Sequence, residues 1–205
     1  MSKPKKLENH LYTTMSAYPL VFDFEDSTIV EKCRAFDSRV NVLCDRFQTI
    51  RITGIDEDAI LRYMRQIEPF NDELTKIKRE FYDHFIQSLK NFNKNNWLYL
   101  DFCTLRHQSP VDFIFKNVVL RWRVGRGSEQ RSYSDSTLIS HPIFTTFLEQ
   151  EPPETQKIVL EFERAKMQIS IVSMRIRSQY NHACDLYKNH LTLKKIQAYY
   201  HAIGE

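Results

Sequence analysis

Residues 28–52 read TIVEKCRAFDSRVNVLCDRFQTIRI. Ile29, Cys33, Phe36, Val40, Leu43, Phe47 and Ile50 recur at alternating spacings of four and three, which puts them on one face of a helix. Thr28 followed by Glu31 has the pattern of a capping box, so a helix is expected to begin there and to stop by Gly54. Few other positions in the stretch are apolar, and a seam of this period needs a second helix to cover it.

The next residues supply that helix. Asp56 and Asp58 suit a helix N-terminus. Ile60, Met64 and Ile67, then Leu74, Ile77, Phe81, Phe85, Leu89 and Phe92, continue as one stripe. Pro69 lacks a donor and crowds the preceding turn, so a kink or break is expected, with a second helix starting at Pro69. The Asn- and Lys-rich residues 91–96 end the helical pattern.

Beyond them the period changes. WLYLDFCTL (97–105) reads as a strand, and VDFIFKNVVLRWRV (111–124) as one long strand or two. Leu120, Trp122 and Val124 share one strand face; Val119, Arg121 and Arg123 share the other. A glycine-bearing loop over 125–129 and a third short strand near 131–133 follow. A short helix opens after Ser140 and ends at Glu151-Pro152-Pro153. Ile158, Phe162, Ala165, Ile169, Val172, Ile176, Tyr180, Ala183, Tyr187 and Leu191 then mark a last helix face. No Gly or Pro interrupts 154–203, so this helix is expected to approach 50 residues, roughly 70 Å.

The expected fold is therefore α+β and predominantly helical: a long helical hairpin, a small antiparallel sheet and a very long C-terminal helix. The chain reads as a single domain over 1–205. It divides into an N-terminal extension (1–26), the hairpin (27–96), the sheet (97–134), and a short helix plus the long helix (140–203). If the last helix outruns the core, Tyr187, Leu191, Ile196, Tyr199 and Tyr200 would expose an apolar and aromatic surface to a partner chain.

Composition excludes several functions. There are only four glycines in 205 residues, and neither a G-x-G-x-x-G nor a G-x-x-x-x-G-K-[ST] motif. No apolar run is long enough to cross a membrane, so no membrane partner is expected. Cys33, Cys44, Cys103 and Cys184 lack C-x-x-C spacing and read as buried free thiols of a cytoplasmic protein. Glu80 with His84 is at most half a metal site, and His182 and His190 are too far apart to clasp one ion. Glu161 and Glu163 point to different helix faces. No nucleophile motif occurs. The expectation is a protein that is not an enzyme and has no catalytic residues, metal or cofactor.

Charge is the best lead. The formal net charge is only +3, but positive charge is concentrated in two segments. Residues 116–133 hold five Lys/Arg against Glu129, and 164–203 hold seven against Asp185. A nucleic-acid-binding set is expected at Arg121, Trp122, Arg123, Arg126, Arg131, Arg164, Arg175, Arg177, Lys194 and Lys195, with cations meeting phosphate and Trp122 offering a stacking face. The leading expectation is a nucleic-acid-associated accessory or regulatory protein. The alternative is a protein-interaction module, an adaptor or inhibitor acting through its long helices, with homo-oligomerisation as one form of partnership.

From Arg121-Trp122-Arg123 onward, through the glycine loop and short helix to the long helix with Glu163, Arg164 and Gln168, the chain resembles small uncharacterised accessory proteins of integrative conjugative elements, some described as integrase regulators. The resemblance covers the C-terminal 85 residues or fewer. It implies an accessory, DNA-binding or regulatory role in a mobile element and carries over no catalytic residues.

Overall fold

A computed structural model describes residues 20–23, 28–92, 96, 98–105, 117–124, 131–133 and 142–204. Four helices and three strands are present among them: α1 (Thr28–Phe47), α2 (Glu57–Ser88), β1 (Leu98–Leu105), β2 (Asn117–Val124), β3 (Arg131–Tyr133), α3 (Pro142–Leu148) and α4 (Pro153–Gly204). The fold is α+β and mostly helical.

The apolar seam of α1 is buried from Ile29 to Phe47, as its spacing requires. The helix ends at Phe47, before the seam does. Thr49 Oγ1 donates to the Arg46 carbonyl at 2.7 Å, and Ile50 N–H to that of Phe47, which closes the last turn tightly. Gly54 lies between the helices, where an added Cβ would come within 3.1 Å of the Ala59 Cβ. Asp56 caps α2 by accepting from the Ala59 N–H at 2.8 Å. That bond holds its carboxyl below the ordinary aspartate value.

Pro69 does not break α2. The helix runs unbroken through it for 32 residues. Pro69 is exposed and costs one helical hydrogen bond, while Ile67, Asn71 and Leu74 on either side are buried. The helix ends at Ser88, earlier than the stripe suggests, because Leu89 turns into extended backbone and bridges Phe22.

The strands form an antiparallel sheet in the order β1-β2-β3. Leu98 pairs with Val124, Leu100 with Trp122 and Asp101 with Arg121. Leu98, Leu100, Leu120 and Trp122 are buried on the inner face, against α2 and α4. Residues 106–116 and 125–130 lie outside the described residues, so the expected strand start at 111 and the glycine loop with Arg126 do too.

The 52-residue α4 would be about 78 Å long and packs along both α1 and α2, so the hairpin is one side of a three-helix core. Phe162 is its hub: its ring lies 5.1 Å from Phe85, 5.7 Å from Phe81, 5.3 Å from His84 and 6.1 Å from Phe22. Phe22 and Leu20 are fully part of this core. Residues 20–23 are therefore not extension but a short brace: Asp23 N–H donates to the Ser88 carbonyl and Lys90 N–H to that of Val21.

Candidate functional site

Ten residues were expected to bind nucleic acid, and the fold scatters them. Arg121 and Arg123 point outward from β2, but both Nε groups donate to one oxygen of Asp101 on β1, each at 2.9 Å. The cross-strand register that pairs Asp101 with Arg121 puts Arg123 diagonally within reach. One carboxylate thus offsets half the charge of the pair.

Trp122, included in the binding set as a stacking face although a core position is the commoner reading of such a tryptophan, is a core residue. It is fully buried, meets Phe85 edge-on at 5.2 Å and donates its indole N–H to Glu163. Strand alternation explains this, because flanking arginines facing water force the residue between them inward. Glu163 is buried beside Lys166, 3.9 Å away. Lys166 reads in the sequence as an exposed cation off the apolar stripe, yet it is buried too. The signal in the sequence is the i,i+3 spacing of opposite charges.

Arg164 is claimed by Asp37 of α1 and by Glu161, and the Asp37 carboxylate holds its pKa above the usual value. Lys194 is bound by Glu57, at the first residue of α2. The Lys194 ammonium in turn keeps the Glu57 carboxyl below the ordinary glutamate range. Tyr187 donates its hydroxyl to the same carboxylate at 3.3 Å. Among the described residues Arg175, Arg177 and Lys195 have no ion-pair partner, but Arg175 and Arg177 are two apart on a helix and face different sides. Arg126 lies outside the described residues, and for Arg131 only the backbone of β3 is described. The arrangement gives no single basic groove among the described residues.

Sequence reasoning missed Lys78. Its ammonium is buried under β2, donating to the Val118 carbonyl at 2.5 Å and to Ser173 Oγ at 2.7 Å. Burial, helped by nearby Arg177, pulls its pKa down to about 8. The cysteines are unbridged, as expected; Cys33 and Cys184 are buried, whereas Cys44 and Cys103 are only half-buried. Burial raises the Cys33 thiol to about 12 and makes it inert. Among the described residues no group of three His, Cys, Asp or Glu is placed to hold a metal ion, and no helix is long and apolar enough to cross a membrane.

The far end of α4 carries the most exposed apolar surface. Burial along the core face ends at Cys184, and Tyr187 and Leu191, which fall on the core-face stripe and were expected to be exposed only if the helix outran the core, are half-buried. Beyond them Leu193, Ile196, Tyr199, Tyr200 and Ile203 are open to solvent, Tyr199 at 69% and Tyr200 at 72%. Leu193, Ile196, Tyr200 and Ile203 follow spacings of three, four and three, a second seam. At 3.6 residues per turn this seam sits roughly half a turn round from Ile176, Tyr180 and Ala183, so it is not a frayed continuation of the core face. No protein-family model, curated protein or solved structure matches this chain.

Proposed function

We propose that the chain is a non-enzymatic protein-interaction module that presents the distal seam of α4 to an acidic amphipathic helix of a partner protein. The carrying observation is the exposed seam Leu193, Ile196, Tyr200 and Ile203 on the face opposite the core. A heptad-like stripe of this width fits one helix. Its surroundings favour acidic flanks: from Leu186 to Ile203 the chain holds no Asp or Glu, and while Lys188 is paired with Asp185 and Lys194 with Glu57, Lys195 has no ion-pair partner among the described residues. The same charge disfavours a second copy of this helix, which would bring like charges together. Four unbridged cysteines support a reducing, cytoplasmic setting.

The test is titration of a labelled synthetic helix with an apolar heptad seam and glutamate flanks, beside a lysine-flanked version. The glutamate peptide is expected to bind, and the triple variant Leu193→Ser, Ile196→Ser, Tyr200→Ser to lose that binding. Equal binding of both peptides, or indifference to the triple variant, counts against the proposal. Light scattering and anionic vesicles separate the other occupants, a second copy and a lipid surface.

Nucleic acid is the second reading, favoured by the absence, among the described residues, of an ion-pair partner at Arg175, Arg177 and Lys195 and by the resemblance to accessory proteins of mobile elements. Pairing of Arg121, Arg123, Arg164 and Lys194 with carboxylates weighs against it. Binding of duplex or single-stranded DNA that weakens steeply with salt would support it; no binding at low salt would remove it.

A further inference from the structure

A second place in the molecule has different chemistry. An open cleft of about 470 Å³ lies where the end of α1 and the segment after it meet the flank of α4. That volume is within the range of small-molecule sites. Three groups capable of positive charge line it: Arg51, Arg175 and His182. None of its lining residues is acidic. Arg175, Gln179 and His182 are spaced four and three apart, so they share one face of α4, and Gln48 and Arg51 lie across from them. Phe47, Ile50 and Ile52 add apolar wall.

The charge here has no carboxylate partner among the described residues, in contrast to three arginines elsewhere on the same helices. Arg39 and Arg46 of α1 are held by Glu80 and Glu73, and Arg164 of α4 by Asp37. Among the described residues Arg51 has no ion-pair partner, and Arg175 reaches the Cys44 sulfur, a weak acceptor, at 3.5 Å. Both guanidiniums therefore keep donors for a ligand. The end of a helix repels anions through its free carbonyls. Here the carbonyls of Cys44, Arg46 and Phe47 already accept from Gln48, Thr49 and Ile50. Gln179 has its amide oxygen engaged by the Tyr63 hydroxyl at 2.8 Å, which leaves its NH2 as a further donor.

We infer that this cleft binds a small organic oxyanion, an apolar or aromatic body carrying a phosphate or carboxylate. Two planar guanidiniums match the oxygens of such a group, and the apolar wall receives the body. The site is independent of the α4 tip and of any partner bound there.

Calorimetric titration of the full chain with phenyl phosphate, benzoate, inorganic phosphate and phenol tests it. Phenyl phosphate or benzoate is expected to bind one-to-one at millimolar concentration or below, and the stronger of the two identifies the acid group. Each should exceed phenol by roughly tenfold or more. Arg51→Gln and Arg175→Gln should each weaken binding by about tenfold while leaving the unliganded melting temperature unchanged, since both side chains are exposed. The triple serine variant of the α4 tip should bind as the wild type does. Phenol binding as well as phenyl phosphate, no saturable binding of either acid by a normally melting protein, or full binding by the double arginine variant would overturn the inference.

Discussion

At the scale of single residues, the polar groups inside the core have the sharpest consequences. Glu163 accepts from Trp122 and neighbours Lys166, and all three are buried. Removing one member of a buried ion pair leaves the other charge in the core without its nearest opposite charge, at a cost of about 3–5 kcal/mol. Lys166→Ala should therefore lower stability by about that much in urea unfolding. Joint replacement Glu163→Leu with Lys166→Met should cost less than the sum of the two single changes. Lys78 adds a pH signature. Its native pKa, about 8, lies below the 10.5 of an exposed lysine. Between those values the unfolded chain holds a proton that the native chain has shed, so stability from this group rises with pH across that window and is flat below it. Subtracting the urea midpoints of Lys78→Met, measured at the same pH values, should isolate that rise. A difference that stays constant from pH 7.5 to 10 would refute it. Apart from the i,i+3 spacing of Glu163 and Lys166, these roles were not legible in advance, because a lysine among helix polar positions reads as solvated until the packing around it is known.

Among the elements, period was the legible quantity. The seam of α1 and the core face of α4 followed directly from spacings of three and four, and the change to strands followed from the change of period after residue 96. Failures fell where one residue had to be weighed against a whole face. Pro69 was expected to kink or break α2; no break occurs, because burial on both sides of it outweighs one missing helical hydrogen bond. Leu20 and Phe22 carry no periodicity because the segment is too short to show one, and so they read as extension. The seam at the tip of α4 was legible only in part: Ile196, Tyr199 and Tyr200 were anticipated as exposed if the helix outran the core, whereas Leu193 and Ile203 were not, and Tyr187 and Leu191, which also fell on the core-face stripe, are half-buried. As the tip adds little to the packed core, the triple serine variant should melt within about 0.5 kcal/mol of wild type. Thermal unfolding checks this, and a large loss would mean that the tip folds back onto the body.

Across the whole molecule, one ring ties distant parts of the chain. Phe162 of α4 touches Phe22 before α1 and Phe81, His84 and Phe85 within α2. Phe162→Ala should cost about 3–5 kcal/mol, measured by urea denaturation, because four rings lose a common neighbour. Conservative replacement by Leu should restore part of the loss. The hub also bears on how the protein is made. Synthesis runs from the N-terminus, so every ring of this cluster leaves the ribosome before the one that joins them. Helices α1 and α2 and the sheet must wait, with their apolar faces uncovered, until α4 emerges. A nascent chain halted before residue 153 would be a client for chaperones, and release from them would coincide with the arrival of the last helix.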